Sequence, residues 1–173
     1  MNTQIKDLEV MDYPPLTEDL EEAKEHLDLY GMALIKNVLS TDEVDQMDQR
    51  LTEQFFGEEK FKVGSKVRGD EGLGVESSEE EKVSRLVWNL INKGDCFLKL
   101  IDHPKILPLI QHIIGERVCL CSMGAHMNGS GNERMALHQD QWPLVPHPMD
   151  FAFMANVMYL ISDNSQENGG TRL

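Results

Sequence analysis

Long apolar runs are missing from this chain. No hydrophobic stretch approaches the roughly 20 residues a membrane-spanning helix needs, so no span is expected. Cysteine is scarce: Cys96, Cys119 and Cys121 complete the set. An odd, sparse count makes no disulfide framework and suits a reducing cytoplasm, the expected location. Cys119 and Cys121 are expected on one face of a strand, as small buried apolar groups. Positive charge is short as well, with 16 Lys and Arg against 30 Asp and Glu, a net charge of −14. Such a surface repels polyphosphate, so neither nucleic acid nor an anionic membrane is an expected partner. The opening "MNTQIKDLEV" lacks a basic flank followed by an apolar block, so no secretory signal is read there.

What basic charge there is gathers in "KFKVGSKVRG", where Lys60, Lys62, Lys66 and Arg68 crowd a Gly-containing segment. Two readings stay open for it: contact with an anionic substrate, or a solvated loop. It is no phosphate loop, because no Gly-Lys-Ser/Thr follows the glycines.

The 173 residues are enough for one domain with a proper core. The first half reads helical. Thr17 is placed to cap a helix carrying Leu20, Ala23, Leu27 and Tyr30, which Gly31 ends. "MALIK" reads as a short strand, and Ser40 with Glu43 forms a capping box ahead of Val44, Met47, Leu51 and Phe55. Residues 57–80 are charged and aperiodic, which predicts a long exposed loop. Val83, Leu86, Val87, Leu90 and Ile91 predict another helix, stopping near Gly94. A further helix is predicted from Pro104, through Ile106, Leu107, Ile110, Ile113 and Ile114, to Gly115.

The second half changes character. "RVCLCSMGAHM", "MALHQD" and "FAFMANVMYLIS" read as strands, separated by the turn "NGSGNE" and the proline-rich "QWPLVPHPMD". "DNSQENGG" is a further turn. Helices first and antiparallel strands after make an α+β class.

Two His-x-Asp pairs stand in this frame. On an α-helix, residues two apart diverge by about 200°. His26 and Asp28 lie in the first predicted helix, cannot share an ion and are expected at the surface. On a strand, residues two apart face one side. His138 and Asp140 in "MALHQD" therefore project together, and an imidazole beside a carboxylate suits a divalent ion such as Fe(II). Spacing leaves a plain alternative open, in which His138 is a hydrogen-bonded core residue and Asp140 forms a turn.

"LHQDQWPL" followed by "ANVMYLISDNSQENGGTRL" resembles the phytanoyl-CoA dioxygenase family of Fe(II)- and 2-oxoglutarate-dependent oxygenases. "YGMALIKNVLSTDEVDQM" is similar to that family's N-terminal segment, and the likeness runs from about residue 29 to 173. The resemblance implies N-terminal helices packed on a double-stranded β-helix, a jelly-roll barrel. It assigns His138 and Asp140 as two ligands of a two-histidine, one-carboxylate iron face, with open positions for 2-oxoglutarate and O₂. The chemistry it implies is oxidative decarboxylation of 2-oxoglutarate to succinate and CO₂, coupled to hydroxylation of an unactivated C–H of a small organic substrate. Ascorbate is expected to stimulate it. The resemblance places cosubstrate contacts near Ser122 and Asn156; by position alone each reads as an ordinary strand residue. Trp142 would wall the pocket or pack under the proline loop, while His126 and His147 receive no iron role and are expected on the surface or in loops.

In the family the pattern continues with a second iron-binding histidine and an arginine for the cosubstrate. This sequence stops at Leu173, inside an expected strand, and matches neither. Residues 1–173 are therefore expected to be the N-terminal part of a dioxygenase domain, its final strands missing, with little or no turnover by itself. A non-catalytic jelly-roll binding protein with a degenerate metal site is the competing reading, and a zinc hydrolase a third. The family name suggests an acyl-CoA substrate, to which the acidic balance gives no encouragement. Oligomeric state is not legible.

Overall fold

Residues 13–68, 72–73, 84–128, 138, 140, 151–165, 167–168 and 170 are described by the structure, a computed structural model. The described chain enters through a two-residue strand, β1 (Leu16–Thr17), into helix α1 (Leu20–Tyr30). The cap is Asp19 and not Thr17: its carboxylate accepts the N–H of Glu21 at 2.8 Å and of Glu22 at 3.2 Å. A carboxylate also places negative charge at the positive end of the helix, which a hydroxyl does not. Thr17 accepts the Asp19 N–H at 3.0 Å and donates to the Glu22 carboxylate. Gly31 ends the helix as expected, at φ +72°, where a side chain would be strained. Strand β2 (Leu34–Ile35) follows and lies parallel to β1, Leu16 opposite Leu34. Parallel neighbours need a crossover, and α1 supplies it.

Helix α1 buries Ala23 and His26, the latter only 8% exposed. This corrects the surface reading of His26, whose ring meets Tyr30 edge-on with centroids 5.9 Å apart. Asp28 points elsewhere, stays exposed, and pairs with His112 at 2.8 Å.

Helix α2 (Thr41–Lys60) starts on the expected capping box. Ser40 Oγ accepts the Glu43 N–H at 3.3 Å, while the Ser40 N–H and hydroxyl donate back to Glu43 Oε2 at 2.9 and 2.7 Å. The Ser40 backbone bond first, and its hydroxyl second, hold the Glu43 carboxyl below its ordinary pKa. Met47, Leu51 and Phe55 recur every fourth residue and form one apolar stripe. Residues 57–80, expected to be one long loop, instead take in the end of α2 and strands β3 (Ser65–Arg68) and β4 (Gly72–Leu73). The basic cluster is thus divided among a helix end (Lys60), a turn (Lys62) and a strand (Lys66 and Arg68). Near that end Glu58 is buried, satisfied by Lys93 Nζ at 2.5 Å and Gln54 Nε2 at 2.9 Å. Arg50 donates to the Lys93 carbonyl at 2.6 Å, so the polar bonds tie the turn around Lys93 to α2.

Strand β5 (Ser84–Trp88) stands where a helix was expected. It pairs antiparallel with β3 on one side and with β6 (Gly124–Met127) on the other, in the order β4-β3-β5-β6. An interior strand covered on its faces carries consecutive apolar residues without alternation. Leu86 and Val87 are both buried, so the run "RLVW" showed no strand period. A 3₁₀ turn (Leu90–Asn92), the short helix α3 (Asp95–Leu98) and helix α4 (Leu107–Ile114) follow. The core gathers Met47, Phe55, Val87, Leu90, Phe97 and Leu100, so it sits between α2, β5 and α3.

The late segments depart from expectation. "RVCLCSMGAHM" is a strand only over Gly124–Met127, and Cys119 and Cys121 are exposed, not buried. Residues 152–160 form neither helix nor ladder. A strand exists by virtue of its neighbour's hydrogen bonds, and no described segment supplies them here. Among the described residues, then, the architecture mixes helices with small open sheets, and no closed barrel is seen. No helix among them is long and apolar enough to cross a membrane.

The 152–160 run is nonetheless anchored. Tyr159 and Ile161 pack on the core, and the Tyr159 hydroxyl donates to the Leu100 carbonyl at 3.0 Å. Burial pushes the Tyr159 phenol from 10.0 up to about 12. The folded state thus holds this proton more tightly than the unfolded chain. Its contribution to stability is whole below pH 10.0 and is lost as pH climbs through about 12. Urea midpoints measured across that window are expected to fall more steeply for the parent chain than for Tyr159→Phe; parallel curves would contradict the linkage.

Candidate metal site and its relatives

His138 and Asp140 both lie within the described residues, His138 in an irregular stretch and Asp140 in a turn. The other residues of the expected strand "MALHQD" fall outside them, so the strand itself is not on view. The two side chains converge all the same: His138 Nε2 stands 3.6 Å from Asp140 Oδ1. Their side chains are 54% and 50% exposed, so both reach solvent. First-row divalent ions bind imidazole nitrogen and carboxylate oxygen at about 2.0–2.2 Å. Two donor atoms 3.6 Å apart can therefore share one ion, and a neutral nitrogen with an anionic oxygen is a donor set such ions accept.

Asp140 has a second partner that spacing did not reveal. Asn156 Nδ2 donates to its other oxygen, Oδ2. Asn156 sits on the run anchored by Tyr159, 16 residues from Asp140 along the chain. Ser122 is exposed in the irregular approach to β6. His126, on β6 opposite Leu86, has its imidazole held below the ordinary histidine pKa by desolvation, though much of the residue meets solvent. Trp142 and His147 lie outside the described residues. Among the described residues no group of three or more His, Cys, Asp or Glu side chains is arranged to hold a metal.

The turn after this run is built by its own side chains. Asn168 Oδ1 accepts the Ser165 N–H at 2.7 Å while its Nδ2 donates to the Asp163 carbonyl at 2.6 Å. Gly170 then closes onto the Ser165 carbonyl at 2.8 Å. A Cβ at Gly170 would lie 2.8 Å from both Asn164 Oδ1 and Ser165 O, so this close approach requires glycine. The Asn and the final Gly of "ENGG" thus serve one turn. A cleft of about 350 Å³ lies apart from the pair, between α2 and the turn around Lys93. Glu58 and Lys93 line it and neutralise one another, and none of His138, Asp140 and Asn156 borders it.

Comparison with known proteins bears on the same residues. Dioxygenase af480 of Aspergillus fumigatus is 27% identical over 156 residues, covering 90% of this chain and 48% of the relative. The chain therefore spans about half the length of that relative. No solved structure matches. The family model described as phytanoyl-CoA dioxygenase (PhyH) matches residues 27–173, a span that holds the capping box, His138, Asp140 and the glycine turn. On that match, the chain belongs to the phytanoyl-CoA dioxygenase family.

Proposed function

We propose that His138 and Asp140 hold an Fe(II) ion of a 2-oxoglutarate-dependent oxygenase that hydroxylates an unactivated C–H of a small organic substrate. The observation that carries the reading is the 3.6 Å approach of Nε2 to Oδ1 in a chain of this family. Family membership also supports a jelly-roll barrel as the setting. When bound, the iron supplies O₂ activation and the oxidative decarboxylation of 2-oxoglutarate to succinate and CO₂. The chain's own part is placement. His138 offers a neutral nitrogen, and Asp140 an oxygen bearing charge that offsets part of the cation's. Because both side chains are half exposed, cosubstrate and substrate can reach whatever they hold. Ser122 and Asn156 belong to the proposal as polar contacts for 2-oxoglutarate. One amide N–H of Asn156 serves Asp140, and its second N–H and its carbonyl are the groups proposed for the cosubstrate.

Binding linkage tests the reading. Under anaerobic conditions 2-oxoglutarate is expected to bind more tightly with Fe(II) present than without, and His138→Ala is expected to abolish the difference. An affinity for 2-oxoglutarate indifferent to Fe(II) would overturn the reading and favour a non-catalytic binding protein. The family pattern also calls for a second histidine and an arginine, and the 173 residues match neither. With two matched ligands, these residues alone are expected to release succinate no faster than free iron and ascorbate do. Robust succinate release would contradict the two-ligand account.

A further inference from the structure

Asp140 is a half-exposed carboxylate whose two oxygens have different surroundings. Oδ1 faces the imidazole of His138 across 3.6 Å, and Oδ2 is taken by the side-chain amide of Asn156. We infer that Asn156 is a positioning residue, holding the Asp140 carboxylate so that one oxygen, Oδ1, is presented to the ion. The inference rests on the iron reading above and deepens it.

An exposed carboxylate turns readily about its terminal torsion, and either oxygen, or both, can face a cation. An ionised carboxylate only accepts, so the amide must meet it with N–H. One such bond on Oδ2 fixes the plane of the group. It also occupies the oxygen that two-oxygen binding of the metal would need. A neutral amide suits this task better than lysine or arginine would, because it restrains the carboxylate without offsetting its charge. Asn156 can act this way because its own segment is fixed. Three residues on, Tyr159 is bonded to Leu100, and Tyr159 and Ile161 both pack on the core. The rigid body of the fold thus reaches the ligand through one side chain, as supporting bonds around metal ligands commonly do.

Mn(II), an air-stable substitute for Fe(II), serves as the probe. Its affinity is read from the electron paramagnetic resonance of the free ion in titrations of the 173-residue chain and its variants. Asn156→Ala is expected to weaken binding about 10-fold or more, the range for loss of a ligand's supporting bond. Thermal unfolding should be unchanged, since Asn156 is exposed. Asn156→Gln restores an amide donor and is expected to recover much of the loss. Parent-like affinity in Asn156→Ala would overturn the inference, as would Asn156→Gln binding no better than Asn156→Ala. His138→Ala separates the two levels: if it binds Mn(II) as the parent does, the iron reading itself fails. If it loses Mn(II) while Asn156→Ala does not, the positioning role fails alone.

Discussion

Replacing Phe97 by alanine is expected to cost about 3–5 kcal/mol of stability, the usual range for emptying a buried aromatic site. Phe97 is 2% exposed and lies in the cluster with Met47, Val87, Leu90 and Leu100. It comes from α3, a helix of four residues that lacks a side-chain cap bond. So short a helix has almost no stability of its own, and burial of Phe97 is what holds it in place. The same cluster receives Tyr159 and Ile161, so the run bearing Asn156 leans on it too. Against a typical total of about 5–15 kcal/mol, the loss is roughly a fifth or more. In urea the midpoint should fall with the slope unchanged, and Phe97→Leu should retain most of the stability. A fall of under about 1 kcal/mol would show that the cluster is not the core of this chain.

The second large effect falls on affinity and leaves folding intact. His138→Ala is expected to weaken Fe(II) binding by at least about 100-fold, roughly 2.8 kcal/mol. Loss of a supporting bond around a metal ligand costs about 10- to 100-fold, and loss of the ligand itself should reach or exceed the top of that range. With 54% of the His138 side chain exposed, its removal opens no cavity, and the unfolding midpoint should stay where it was. Anaerobic titration calorimetry and a urea curve on the same sample separate the two outcomes. Equal Fe(II) affinity in the variant would remove His138 from the site.

The elements legible in the sequence are those fixed by local chemistry. The Ser40–Glu43 capping box, the left-handed stop at Gly31 and the helix ended by Gly115 each depend on a few adjacent residues, and each is found. Elements that depend on distant partners are not legible in the same way. Val83, Leu86, Val87, Leu90 and Ile91 show a helical period because Leu86 and Val87, adjacent in an interior strand, are both buried. The divergence of His26 and Asp28 on a helix excludes a shared ion but says nothing of burial, and one turn from Ala23 the His26 ring joins the buried stripe of α1. The third expected strand, "FAFMANVMYLIS" over residues 151–162, has the composition of one and no ladder among the described residues. At the site, the convergence of His138 with Asp140 was legible as a two-residue spacing. The bond from Asn156 to Asp140, made across 16 residues, carries no spacing signal at all.

The central claim is that one ion meets both His138 and Asp140. Nuclear magnetic resonance with substoichiometric Mn(II) tests it most directly, because a paramagnetic ion broadens the nuclei close to it. The account predicts that the ring protons of His138 and the side-chain amide of Asn156, which is bonded to Asp140, broaden first and together. The ring protons of His26, His103 and His112 should stay sharp at the same dose. Broadening that begins at those histidines, or that reaches His138 without the Asn156 amide, would contradict it.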